Sequence, residues 1–153
     1  MSEIRVRAMR KDELDQLLQL YTHMHDKPDA PLPPVEQLGL LWDDIVANPM
    51  LYYFVGEVER ELVSSCTMAI IPNLTRGARP YGLIENVVTH RDYRKRGYGT
   101  CILQHALQVA WEQNCYKVML LTGRKDEATL RFYDRAGFKR GVKTGYIAYP
   151  EDE

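Results

Sequence analysis

Apolar residues along the chain recur with two different periods, and the switches between them mark the elements. Ile4, Val6 and Ala8 alternate with Arg5 and Arg7, so residues 4–9 read as a half-buried strand. Between 11 and 25 the period lengthens. Leu14, Leu17, Leu18 and Tyr21 share one helical face, and Asp12 and Glu13 suit the positive end of a helix. Residues 26–34 hold four prolines, which excludes regular structure and predicts a loop. Val35, Leu38, Leu41, Trp42, Ile45 and Val46 restore the helical period until Asn48-Pro49 stops it.

Strand-like runs follow at 51–58 and 62–71, joined by the polar Glu59-Arg60-Glu61 as a hairpin. Residues 72–80 form a loop carrying Arg76 and Arg79, and 81–89 is the next strand. Ile102, Leu103, Ala106, Leu107 and Ala110 then stripe one side of a helix over 101–111. Residues 116–121 read as a buried strand, 126–136 as a short helix capped by Gly137, and 142–149 as a closing strand. The order β-α-α-β-β-β-α-β-α-β predicts an α/β (α+β) fold, a mixed sheet flanked by helices, in a single domain over 1–153.

Composition narrows this only slightly. The chain has 153 residues, enough for one domain with a substantial core, and a formal net charge of -1. That balance argues against a nucleic-acid partner, so the basic run at 91–96 is a local feature. Three cysteines, Cys66, Cys101 and Cys115, are an odd number without a Cys-x-x-Cys, which suits a reducing cytoplasm better than a disulfide framework. His23, His25, His90 and His105 stand at no zinc spacing, so no metal is expected. No apolar run is long enough to span a bilayer, and no signal peptide is seen, so no membrane partner is expected.

The chemistry concentrates where the 81–89 strand meets the next helix, in Arg94, Lys95, Arg96, Gly97, Tyr98, Gly99 and Thr100, which spell Arg-x-x-Gly-x-Gly-Thr. Unpaired N–H groups at a helix start, the helix dipole and three cationic side chains together suit a pyrophosphate. Without Cβ atoms, Gly97 and Gly99 allow positive φ or a close backbone approach. The motif lacks the Gly-Lys-Ser/Thr of a Walker A loop, and Ile102 stands where a dinucleotide fingerprint needs glycine. A basic surface turn is the other reading of the same residues.

Two titratable residues stand out beside this motif. Glu85 interrupts an otherwise apolar strand, either as a general base for an ammonium or as a solvated or arginine-paired carboxylate. Tyr133, in Phe132-Tyr133, is either a proton donor or a core aromatic.

Taken together, 84–88 (Ile-Glu-Asn-Val-Val), the Arg-x-x-Gly-x-Gly-Thr turn, 114–118 (Asn-Cys-Tyr-Lys-Val) and 132–138 (Phe-Tyr-Asp-Arg-Ala-Gly-Phe) resemble the GNAT superfamily of acetyl-CoA-dependent N-acetyltransferases. Within it the motifs look most like those of glucosamine-6-phosphate N-acetyltransferases, although Leu121-Thr122 replaces the Asp-Cys pair frequent there. The resemblance implies a GNAT-like, mostly antiparallel sheet and acetyl-CoA as co-substrate. It places the pantetheine arm along Val87, Val88 and Thr89 and the pyrophosphate on 94–100. Asp126 and Thr129 stand nearest to where many relatives bind pantetheine through Asn, and Phe132 walls the same side. Glu85 would be the base and Tyr133 the acid that protonates the leaving thiolate. A small-molecule amine is the implied acceptor, with direct attack in a ternary complex and a homodimer held partly by the last strand. Tyr21, His23, His25, Asp26, Arg76, Arg79 and Tyr146 are candidate acceptor-pocket liners. A non-catalytic acetyl-CoA-binding regulatory domain and acetylation of a protein amine are the alternatives.

Overall fold

The computed structural model describes residues 3–151. β1 (Arg5–Ala8) leads through a 3-10 turn (Lys11–Glu13) into α1 (Leu14–Tyr21). The helix read over 11–25 is thus shorter and begins with a 3-10 turn, because Glu13 turns inward. Only 3% exposed, Glu13 accepts both terminal nitrogens of Arg7 at 2.8 Å and the Arg10 backbone N–H at 2.7 Å. Those donors hold its carboxyl below the usual range, the Arg7 hydrogen bond first.

α2 (Val35–Ala47) follows the proline loop, and its Trp42 indole donates to the Lys11 carbonyl at 2.8 Å, which ties the two helical segments together. β2 (Leu51–Val58) and β3 (Glu61–Ile71) form a hairpin in which Val58 pairs with Glu61. The turn is only Glu59-Arg60, both at positive φ (50° and 71°), the geometry that matches strand twist. β4 (Tyr81–Thr89), α3 (Tyr98–Glu112), β5 (Val118–Leu120) and α4 (Glu127–Arg135) complete the regular structure.

The sheet runs β1-β2-β3-β4-β5, antiparallel except for the parallel β4–β5 pair. On one face Phe54, Cys66, Met68 and Ile84 pack against Ile102, Leu103, Ala106 and Ala110 of α3, with Tyr133 and Phe138 at the margin. The opposite face lies under α1 and α2, where Leu17, Leu20 and Trp42 are buried and Trp42 meets Tyr53 edge to face at 5.4 Å.

The strand expected at 142–149 is not formed. Tyr146 is 90% exposed, Ile147 64% and Tyr149 70%. Branched and aromatic residues favour extended backbone, but a strand exists only through its partner, and this segment pairs with no strand of its own chain. It passes the end of β5, where Gly145 lies against the Leu121 side chain.

Candidate active site

β4 and β5 separate part-way along their length. Gly82, Leu83 and Ile84 pair with Val118, Met119 and Leu120, and there the pairing ends. Beyond it, 85–89 keep only their β3 neighbours, so this stretch of β4 presents an unpaired edge to a V-shaped gap.

A bulge sits at the mouth of the gap. Glu85 faces Thr67 and Val88 faces Ser65, so between these pairs two residues of β4, Asn86 and Val87, stand against one of β3, Cys66. Asn86 takes up the extra residue at φ 54°. Asparagine is among the few non-glycine residues that tolerate this conformation. An Asn inside an apolar strand was therefore the sequence signal for the bulge. Both Glu85 and Asn86 are exposed, with Glu85 in line with Thr67 and Tyr53 on the α1 side of the sheet.

Tyr133 approaches from the other side. It is half-buried against Phe132 (ring centroids 4.9 Å apart) and Phe138 (6.4 Å). Burial pushes its phenol above the ordinary range, the Cys66 and Glu85 charges add to this, and Arg124 opposes it. The phenol therefore stays protonated at neutral pH and keeps a proton to give. The structure thus brings Glu85 and Tyr133 within electrostatic reach across the gap, on opposite faces of the sheet.

The glycine turn closes the far end of β4. Lys95 and Gly97 adopt positive φ (62° and 83°), and Gly97 caps α3. The first turn of this 15-residue helix holds no acidic residue, so no carboxylate offsets the positive end of its dipole. Two residues of the turn also make contacts within the protein. Arg94 folds back, donating Nε to the Thr89 carbonyl (3.1 Å) and Nη2 to the His23 carbonyl (2.6 Å). A Cβ at Gly99 would stand 2.9 Å from the Phe132 ring, so the missing side chain lets Phe132 pack against the helix start. Arg96 lies over the Tyr93 ring at 5.3 Å, and the buried Tyr98 packs with Val58 and Val63.

Val87 is half-buried against the α3 core, Val88 is buried, and the Thr89 hydroxyl lies 3.1 Å from that of Ser64. Asp126 caps α4, accepting the Thr129 N–H at 3.0 Å and its hydroxyl at 2.8 Å, so the two residues satisfy each other. Phe132 stands between Gly99 and Tyr133.

The expected acceptor liners divide. Tyr21 is beside Thr67 near Glu85. His23 stacks on His90 at 3.9 Å, linking the start of the proline loop to the glycine turn. Burial, then the neighbouring His90, Arg91 and Arg94, hold His23 below the usual imidazole range. Arg76 and Arg79 lie at the other end of β4. Arg79 donates to the Asn114 and Cys115 carbonyls at 3.2 Å, and Arg76 lies over Tyr116. His25, Asp26 and Tyr146 are exposed. Thr67 had no sequence signal, since a threonine in a strand is ordinary.

Among the described residues no cluster of His, Cys, Asp and Glu could hold a metal ion, and no helix is long and apolar enough to cross a membrane. A surface groove of about 550 Å³ between Lys11, Asp15 and Asp43 shares no residue with the gap.

The model of the acetyltransferase (GNAT) family matches residues 14–138. The chain belongs to that family. It is an N-acetyltransferase, and acetyl-CoA is the family's acetyl donor. A solved structure from Agrobacterium tumefaciens str. C58 that bears an acetyltransferase name is 42% identical. It superimposes with a TM-score of 0.87 over 95% of this chain and 99% of its own. The glucosamine 6-phosphate N-acetyltransferase of Trypanosoma brucei brucei is 29% identical over 137 residues, 90% of each chain. A solved Trypanosoma brucei acetyltransferase is 27% identical with a TM-score of 0.76, covering 96% of this acetyltransferase and 100% of its own length.

The residues present fit the donor. An unpaired strand edge suits the amide-bearing arm, and a helix start with no acidic first turn suits the pyrophosphate.

Proposed function

We propose that this enzyme acetylates a primary amine of a small molecule by direct attack within a ternary complex. One observation carries the reading. The unpaired edge of β4 has a carboxylate on its α1 side and a still-protonated phenol on its α4 side, close enough to feel each other. The bound donor supplies an electrophilic thioester carbonyl, and the rest falls to the protein. Val87, Val88 and Thr89 align the arm along their backbone, and the N–H groups at 97–100, with Lys95 and Arg96 nearby, hold the pyrophosphate. Asp126 and Thr129 fix the start of α4 and with it Phe132 and Tyr133. Glu85 takes the ammonium proton so that a free amine attacks. Tyr133 gives its proton to the departing sulfur, and the second proton shed by the attacking nitrogen passes through water to restore the phenol.

The first acceptor to test is an amino-sugar phosphate, because the 29% identical relative bears that substrate in its name. Thiol release from acetyl-CoA should depend on amine across a panel that includes glucosamine 6-phosphate, and the N-acetylated sugar should be inert. Release with peptide lysines and none with any small amine would overturn the reading.

We also propose a homodimer with residues 142–149 at the contact. The segment exposes Val142, Tyr146, Ile147 and Tyr149 beside Leu121, next to the edge strand β5. A second copy supplies the pairing partner that the chain itself lacks. Sedimentation at micromolar concentration should give a dimer that Tyr146→Asp with Ile147→Asp dissociates, whereas a monomeric wild type would refute it.

A further inference from the structure

Three buried polar side-chain atoms among the described residues have no hydrogen-bond partner in the protein: Arg7 Nε, Tyr21 Oη and Thr67 Oγ1. The first is a by-product of geometry, since the other nitrogens of Arg7 already hold Glu13 and Glu57. The other two belong together. Tyr21 ends α1, and its phenol comes down beside Thr67. Burial pushes that phenol up to about 12, and the adjacent Thr67 hydroxyl partly offsets this. The two hydroxyls are close enough to act on each other, but their contact does not reach full hydrogen-bond geometry, so each can still give its proton to a better acceptor.

Native proteins rarely leave buried hydroxyls unpaired. Thr67 is 9% exposed and stands directly opposite Glu85 across the β3–β4 ladder. Such opposite residues have Cβ atoms about 5 Å apart on one face of the sheet. The Glu85 side chain has three torsions with which to turn inward. A carboxylate only accepts, and each hydroxyl has one proton to donate.

We propose that Thr67 Oγ1 and Tyr21 Oη are positioning groups that both donate to the Glu85 carboxylate once an acceptor covers the gap. The inference rests on Glu85 being the base. Its effect is to fix the carboxylate toward the acceptor and to favour its charged form as water leaves. Tyr133 on α4 feels the Glu85 charge and that of Arg124, Tyr53 on β2 stands next in line beyond Thr67, and Tyr53 and Cys66 bear on Tyr21.

The test is the pH profile of kcat, which reports groups in the substrate complex, with saturating acetyl-CoA and the fastest primary amine of the panel. Thr67→Val keeps the shape and removes the donor. Losing a donor to the charged form raises the carboxyl pKa, so the acid limb should move up by about one pH unit. That is about tenfold in rate below the limb, the worth of one hydrogen bond to a charged group. Thr67→Ser should restore the limb, and Tyr21→Phe should shift it in the same direction. Added to Glu85→Gln, Thr67→Val should cost nothing more. An unmoved limb in Thr67→Val and Tyr21→Phe, or an equal loss in the Glu85→Gln background, would overturn the positioning role while leaving a slow Glu85→Gln intact. A Glu85→Gln enzyme at wild-type rate would remove the base and this inference together.

Discussion

Glu85→Gln is expected to slow acetyl transfer by about 10²–10⁴-fold, the usual worth of a placed base, at pH values where the acceptor is an ammonium ion. Gln has nearly the same shape and cannot take the proton. Because Glu85 is exposed at the bulge, no buried partner is orphaned, so the melting temperature should hold within the scatter of surface changes. Two details separate this outcome from a binding defect. Raising the pH should recover part of the rate, since a free amine no longer needs the base. The loss should fall on kcat and leave the affinity for CoA by calorimetry unchanged. A flat, wild-type profile would mean that solvent takes the proton and that Glu85 is a bystander.

Tyr133→Phe should cost a similar ~10²–10⁴-fold, with a different signature. The ring stays in its place between Phe132 and Phe138, so packing and CoA affinity persist, and only the donor is lost. The deficit should shrink with acetyl donors whose leaving thiol is more acidic, because a better leaving group needs less help. Loss of folding in Tyr133→Phe with undiminished turnover per folded molecule would make the phenol a packing residue. The thiolate would then leave unassisted.

Much of this was legible from period and composition. Alternation and heptad-like spacing located the four helices and five strands to within a few residues, because local pattern dictates which face each element buries. The glycine turn was legible through Gly97, whose positive φ only a permissive residue supplies cheaply. What stayed hidden depended on partners distant in sequence. That Gly99 also makes room for a packing partner shows only when Phe132, 33 positions later, is seen lying on it. Arg94 reads as free charge until the His23 carbonyl, 71 positions earlier, is found under its guanidinium. Residues 142–149 have the composition of a strand, but nothing local reveals that no strand among the described residues comes to pair with them. Glu85 and Tyr133 were singled out from their neighbours in sequence, but only the register of β4 against β3 showed Thr67 across from the first of them.

The extra residue at Asn86 changes what a single strand can do. In an unbroken strand, residues 85, 87 and 89 would all face the same way. Here Glu85 aligns with Thr67 under α1, whereas Val87 packs into the α3 core and the Thr89 hydroxyl lies near Gly99 of α3. The bulge shifts the phase of the alternation by one. Under the proposed mechanism, five consecutive residues thus present a carboxylate to one substrate and a backbone anchor to the other. A straightened β4 would keep every side chain and lose that division, since a slip of one position sends each residue beyond it to the opposite face.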